Sequence, residues 1–260
     1  MFQKYILTNN TFNFDNLSNS VNFEDITNGR KGANIIDVKD NEFIPLVRTT
    51  TIYKEPCQTF SNIHYELVNE IKYITNNYNM NLNNALVEIY NNNYTTMGYH
   101  SDQALDLEED SYICLYSVYN EVEKDKQLVR YLKIQNKLTN EEQEITLEHN
   151  SIVIFSTNIN KQFLHKILLK NTNNIKSNKQ WLGFTFRCSK TFIKFINEIP
   201  YFVNNINTNN NTNIIIHQLY LANEVEKKEF FKLRGLENRL IEFKYPTIYF
   251  TINPSDLIKY

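Results

Sequence analysis

Apolar and polar positions change their spacing along this chain, and the change separates its parts. Between His64 and Ile74 the apolar residues Leu67, Val68, Ile71 and Ile74 recur every three or four positions, which predicts an amphipathic helix. From Ala85 onward the spacing falls to two, or to short solid apolar runs. Ala85–Tyr90, Tyr112–Tyr119, Leu128–Ile134, Ile145–Leu147, Ser151–Phe155, Phe163–Leu169 and Trp181–Arg187 all read as strands. The turn Glu148-His149-Asn150 separates two of them, with Asn150 suited to the left-handed position that glycine would otherwise take. Upstream, Asn34–Val38 and Ile44–Tyr53 also read as extended. So many short strands with turns between them predict a sandwich or a barrel.

Polar stretches mark the boundaries. Asn204–Asn213 is low in complexity and reads as a spacer. Beyond it, Leu219–Leu240 reads as a helix rich in Glu and Lys, and Pro246–Phe250 as extended. The expected organisation is an N-terminal extension over 1–44 that packs on the core, a β core over 45–200, and a linker with a small appendage over 201–260.

Composition narrows the function. Hydrophobic residues make up 42% of 260, with 17 Tyr and 17 Phe among them, enough for a sizeable core. With only 5 Gly, neither a G-x-G-x-x-G nor a G-x-x-x-x-G-K-[ST] motif occurs, which removes dinucleotide and phosphate-loop readings. A net charge of −2 with scattered Lys and Arg lacks the basic excess of a dedicated nucleic-acid binder. Cys57, Cys114 and Cys188 show no C-x-x-C spacing and read as reduced thiols. The start MFQKYILTNN is too polar for a secretory signal, and no apolar run approaches the roughly 18 residues of a membrane span. The expectation is an intracellular protein, cytoplasmic or nuclear, with no membrane partner.

The candidate chemistry lies in Gly98-Tyr99-His100-Ser101-Asp102. On extended backbone His100 and Asp102 project from one face, so an imidazole and a carboxylate can converge on one divalent cation of the first transition row. Two donors do not hold such an ion. A third is offered by His165, in the strand Phe163–Leu169, and a cation by Arg187, at the end of Trp181–Arg187. If those strands form a hairpin centred on Lys176, His165 and Arg187 stand opposite each other, about 5 Å apart at Cβ. The alternative is a loop ion pair for His100 and Asp102, a hydrogen-bonded core role for His165 and a core role for Tyr90. His64 reads as a surface or capping residue, and His149 as a solvated turn residue.

Taken together, Tyr90, G-Y-H-S-D at 98–102, F-L-H-K-I at 163–167 and F-T-F-R at 184–187 resemble the Fe(II)/2-oxoglutarate dioxygenases, AlkB-like branch. The resemblance spans roughly residues 45–190. It implies an α+β, mainly β fold whose core is a double-stranded β-helix, or jelly-roll, with flanking helices. It implies that His100, Asp102 and His165 ligate Fe(II), that Arg187 pairs with the distal carboxylate of 2-oxoglutarate, and that Tyr90 hydrogen-bonds this cosubstrate. The implied activity is O2-dependent hydroxylation or oxidative demethylation of a nucleic acid, a protein side chain or a small molecule. The chain departs from the AlkB pattern at several positions. Gln103-Ala104 replaces acidic residues after H-x-D, Trp181 an arginine, and Glu88 and Gly183 asparagines. These departures alter the cosubstrate pocket and leave a metal-free or catalytically altered binding module as the competing reading.

Overall fold

A computed structural model describes residues 1–8, 11–38, 43–121, 129–170, 178–204 and 214–260 of the protein. In chain order its first strands are β1 (Gln3–Ile6), β2 (Glu24–Thr27), β3 (Arg30–Ile36), β4 (Ile44–Leu46), β5 (Gln58–Thr59) and β6 (Asn84–Tyr90). There follow β7 (Tyr112–Tyr119), β8 (Arg130–Asn136), β9 (Glu142–Leu147), β10 (Ser151–Ser156), β11 (Phe163–Leu169) and β12 (Trp181–Arg187). The last are β13 (Thr191–Ile196), β14 (Ile199–Asn204), β15 (Ile214–Gln218), β16 (Tyr220–Leu221) and β17 (Phe250–Thr251). Among the described residues four α-helices are interspersed: α1 (Phe14–Ser18), α2 (Asn62–Ile74), α3 (Thr157–Gln162) and α4 (Glu224–Arg239).

An eight-stranded sheet in the order β1-β10-β7-β12-β6-β3-β2, with β5 added beside β3, forms one wall. A smaller antiparallel sheet, β11-β8-β9, forms the other. The fold is mainly β, a jelly-roll with few helices, as the strand pattern and the resemblance both implied. Residues 1–44 contribute β1, β2 and β3 to the large sheet itself.

Alternation in β12 explains how the large sheet serves two cores. Leu182, Phe184 and Phe186 point outward, where α2 packs Leu67, Val68 and Ile71 on them. Trp181 points inward and joins Tyr90, Leu115, Leu132, Ile134, Val153, Phe155 and Ile167 between the two sheets. Helix α2 begins at a capping box in which the backbone N–H of Ser61 donates to His64 Nδ1 at 2.9 Å. His64 is therefore the capping residue expected, but it is buried, not at the surface. Asn150 has φ 56°, the left-handed turn conformation expected of it. His149 is half-buried, its Nδ1 accepting from the Tyr119 N–H at 3.2 Å, so it is not the solvated turn residue its position predicted.

The expected β11–β12 hairpin is not formed. Strand β11 pairs with β8 in the small sheet, whereas β12 lies between β6 and β7 in the large one. Of the loop that was to be the turn, residues 171–177 lie outside the described residues, as do residues 205–213 of the expected spacer. His165 and Arg187 thus face each other across the interior from opposite walls, because consecutive strands of a jelly-roll cross between its sheets.

Candidate metal centre

His165 is fixed by alternation. On β11 it shares the inward face with Ile167 and Leu169, and it is buried. The loop that carries His100 runs antiparallel along the free edge of β11, bridging Thr96 to Leu168 and His100 to His165. The backbone N–H of His100 donates to His165 O at 3.0 Å, and the N–H of His165 donates to His100 O at 2.7 Å. The imidazoles consequently stand side by side, with ring centroids 4.7 Å apart.

Asp102 completes the cluster. Its backbone N–H donates to Asn160 Oδ1 at 2.8 Å, and Asn160 Nδ2 donates to Asp102 O at 2.7 Å, so α3 clamps the residue at both ends. Its carboxylate accepts from Arg187 Nε at 2.8 Å through Oδ2, while Oδ1 stands 3.6 Å from His165 Nε2. One donor atom from each of His100, Asp102 and His165 lies within 4.8 Å of the other two.

This donor set fits a divalent first-row metal ion. Two ligands bonded to one ion at about 2.1 Å and at right angles lie about 3 Å apart. The 3.6 Å between His165 Nε2 and Asp102 Oδ1 is too long for a hydrogen bond and close to that spacing. Gly98 O lies 3.0 Å from His100 Nδ1, and a proton held there leaves Nε2 free as a ligand, the usual outer support of a metal-bound histidine. His165 Nδ1 is buried without a hydrogen-bond partner among the described residues. Protonation states suit the task. Burial, and then the neighbouring His165, push the His100 pKa down to about 3, so its imidazole is neutral at physiological pH. For Asp102 burial acts upward, but Arg187 and His165 outweigh it and hold the carboxyl well below the usual range.

The two residues expected to bind a cosubstrate are engaged within the protein. Arg187 does not stand free, because its Nε is bonded to Asp102. Tyr90 is fully buried, and its hydroxyl donates to Glu88 Oε2 at 2.6 Å. Its ring lies against Trp181, at 4.8 Å between centroids, and under Arg130, at 5.0 Å. A Cβ on Gly183 would overlap the Trp181 indole, so the tryptophan fills the floor that this glycine leaves bare.

Some residues that shape the site carry no sequence signal. Helix α4 grips the segment after His100. Asn238 Oδ1 accepts from the N–H and the hydroxyl of Ser101 at 3.1 and 3.2 Å, and Glu237 Oε1 accepts from the Ala104 N–H at 2.7 Å. Arg234 bonds both Glu237 and the Ser101 carbonyl. Phe231, Arg234 and Asn238 also line a cavity of about 420 Å³ that reaches His100 and Asp102. A helix was expected over Leu219–Leu240; it runs from Glu224 to Arg239, because the capping box of Asn223 and Glu226 starts it after the short strand β16.

Two antiparallel walls with a His-Asp-His cluster between them define a jelly-roll metal site. The family model of the 2OG-Fe(II) oxygenase superfamily matches residues 45–187, more than half of the chain. The protein belongs to that superfamily, whose members use Fe(II) and 2-oxoglutarate. Among solved structures it is similar to OsALKBH1, with a TM-score of 0.40 and 11% identity, over 62% of this chain and 78% of that one. No curated protein matches it in sequence. Among the described residues, no helix is long and apolar enough to cross a membrane.

Proposed function

We propose that the protein is an Fe(II)- and 2-oxoglutarate-dependent oxygenase of AlkB-like type that hydroxylates a C–H bond of its substrate, or removes an N-methyl group after hydroxylation. The observation that carries this reading is the convergence of His100, Asp102 and His165 within 4.8 Å in a chain of this superfamily. These three residues would hold Fe(II) on one face and leave the opposite face toward the cavity. When bound, the iron with 2-oxoglutarate and O2 supplies the oxidation of an unactivated C–H bond.

The chain's own residues perform the positioning. Asn160 and the His100–His165 backbone pairing set the donors before any ligand arrives, so little reorganisation is needed on binding. Arg187 orients Asp102 and lines the cavity at the end nearest the donors. Helix α4 closes one side of the cavity with Phe231 and Arg234 and keeps bulk water from that side. The substrate class that fits is a nucleic acid, a protein side chain or a small molecule.

One observation favours a second reading, a jelly-roll binding module with altered catalysis: Trp181 fills the floor over Gly183, and Glu88 places a carboxylate there. Conversion of 2-oxoglutarate to succinate in air, with Fe(II) and no added substrate, separates the two. Succinate formation that disappears in Asp102→Ala supports the oxygenase. No succinate at saturating Fe(II) and 2-oxoglutarate supports the binding module.

A further inference from the structure

The cavity that begins at His100 and Asp102 continues along the inner face of the large sheet to Arg30, Thr51, Glu88 and Tyr94. The strand registers give this face a grid. Arg30 and Trp181 both pair with Tyr90, one on each side of β6, and Gly32 and Gly183 both pair with Glu88 in the next row. On the β12 side the Trp181 indole leans over Gly183 and closes the floor. On the β3 side Arg30 leans the same way, and its Nε and Nη2 reach Glu88 Oε1 at 2.7 and 2.6 Å. Arg187 pairs with Asn84, three rows from Arg30, and gives its Nε to Asp102.

Charge and unsatisfied groups at this far end point to an anion. The guanidinium fork of Arg30 gives one edge to Glu88; beyond it Nη2 reaches the Thr51 hydroxyl at 3.3 Å, and the Tyr94 side chain also hydrogen-bonds the guanidinium, so its other partners are neutral hydroxyls. Arg130, 5.0 Å over the Tyr90 ring and buried, pairs with no carboxylate among the described residues, since its Nη atoms donate to Tyr94 O and Asn91 O. Of these two arginines only Arg30 pairs with an acid, Glu88, among the described residues. The Tyr53 hydroxyl, which lies over Gly32 beside Glu88, is buried without a hydrogen-bond partner among the described residues. A buried hydroxyl with nothing to bond costs stability until a ligand satisfies it.

We infer that Arg30, with the hydroxyls of Thr51 and Tyr53 beside it, receives the distal carboxylate of a 2-oxo dicarboxylic acid whose other end is held at His100, Asp102 and His165. The anchor thus sits on β3, at the position across Tyr90 from Trp181. This rests on the oxygenase reading above. A five-carbon 2-oxo diacid bound this way presents one carboxylate to a fork that accepts it bidentately, whereas Arg187 keeps Asp102 oriented throughout.

Calorimetric titration of the full chain loaded with Mn(II) tests the assignment, using 2-oxoglutarate and 2-oxopentanoate, which has the same chain length and no distal carboxylate. The wild type should prefer 2-oxoglutarate by about tenfold or more. Arg30→Gln should abolish that preference by weakening 2-oxoglutarate alone. The double variant Arg30→Gln/Glu88→Gln, which leaves no carboxylate unpaired, should do the same. Arg187→Gln should weaken both acids alike. Retention of the preference in both Arg30 variants, or its loss in Arg187→Gln alone, overturns the assignment. If the Mn(II)-loaded wild type binds neither acid, the oxygenase reading itself fails; if it binds both equally, only the anchor does.

Discussion

His100 and His165 exchange both of their backbone hydrogen bonds, at 3.0 and 2.7 Å. This pairing stitches the loop of the H-x-D motif to the edge of β11, so backbone geometry and not side-chain flexibility brings the imidazoles together. Asp102 is then held at two residues' remove by Asn160, and oriented by Arg187 from the opposite wall. The three donors are thus supported by three separate elements, and each support has a measurable consequence.

Replacing Asn160 by Ala leaves the N–H and C=O of Asp102 unpaired in a buried site. The expected cost is about 1–3 kcal/mol of stability. Mn(II) affinity should fall by about tenfold or more, as for other outer supports of metal ligands. Chemical denaturation and metal titration measure both, and an unchanged metal affinity would show that α3 does not position Asp102.

Helix α4 supports the same loop from the other side. Asn238→Ala removes the acceptor of two Ser101 hydrogen bonds and should cost about 1 kcal/mol. The rise in Tm on adding Mn(II) should also shrink relative to wild type, because the metal-binding loop is less ordered. An equal rise in both proteins would reduce α4 to a passive cover.

The general outline of this site was legible in the chain because it depends on local pattern. Period-two spacing predicted the strands, H-x-D placed two donors on one face, and His165 stood in one of those strands as the third donor. The hairpin geometry was not legible. Two apolar strands symmetric about a polar loop look alike whether they pair with each other or cross between sheets, and here β11 and β12 cross. Asn160, Glu237 and Asn238 were invisible for another reason: they act by bonding backbone groups of a distant segment, which no spacing rule reports. Arg30 carries no motif of its own, and only the strand register sets it beside Tyr90.

Titration of His64 makes stability depend on pH. Burial lowers its pKa from 6.5 to about 4, so between these values the unfolded chain binds a proton that the folded protein refuses. Stability is therefore full above pH 6.5 and should fall by about 1.4 kcal/mol per pH unit, from this group, as pH drops toward 4. His64→Gln keeps a side chain able to reach the Ser61 N–H and removes the titration. Denaturation curves at pH 7 and pH 5 should differ less in the variant; equal differences would assign the dependence to other groups.

Gly183→Ala tests the packing of the cavity floor. The new methyl overlaps the Trp181 ring and forces it to turn or shift, at an expected cost of about 1–3 kcal/mol. Trp181 is the only tryptophan in the chain, so its emission reports the movement directly. An unshifted spectrum with unchanged stability would mean that the indole does not rest on Gly183.

His100, Asp102 and His165 are predicted to hold one Fe(II) together with 2-oxoglutarate, and the visible absorption of the anaerobic protein titrated with both measures this most directly. A weak charge-transfer band that saturates at about one Fe(II) per chain, and that is lost in His100→Ala while the variant remains folded, is the predicted result. No band at saturating ligand, or an equal band in His100→Ala, would contradict it.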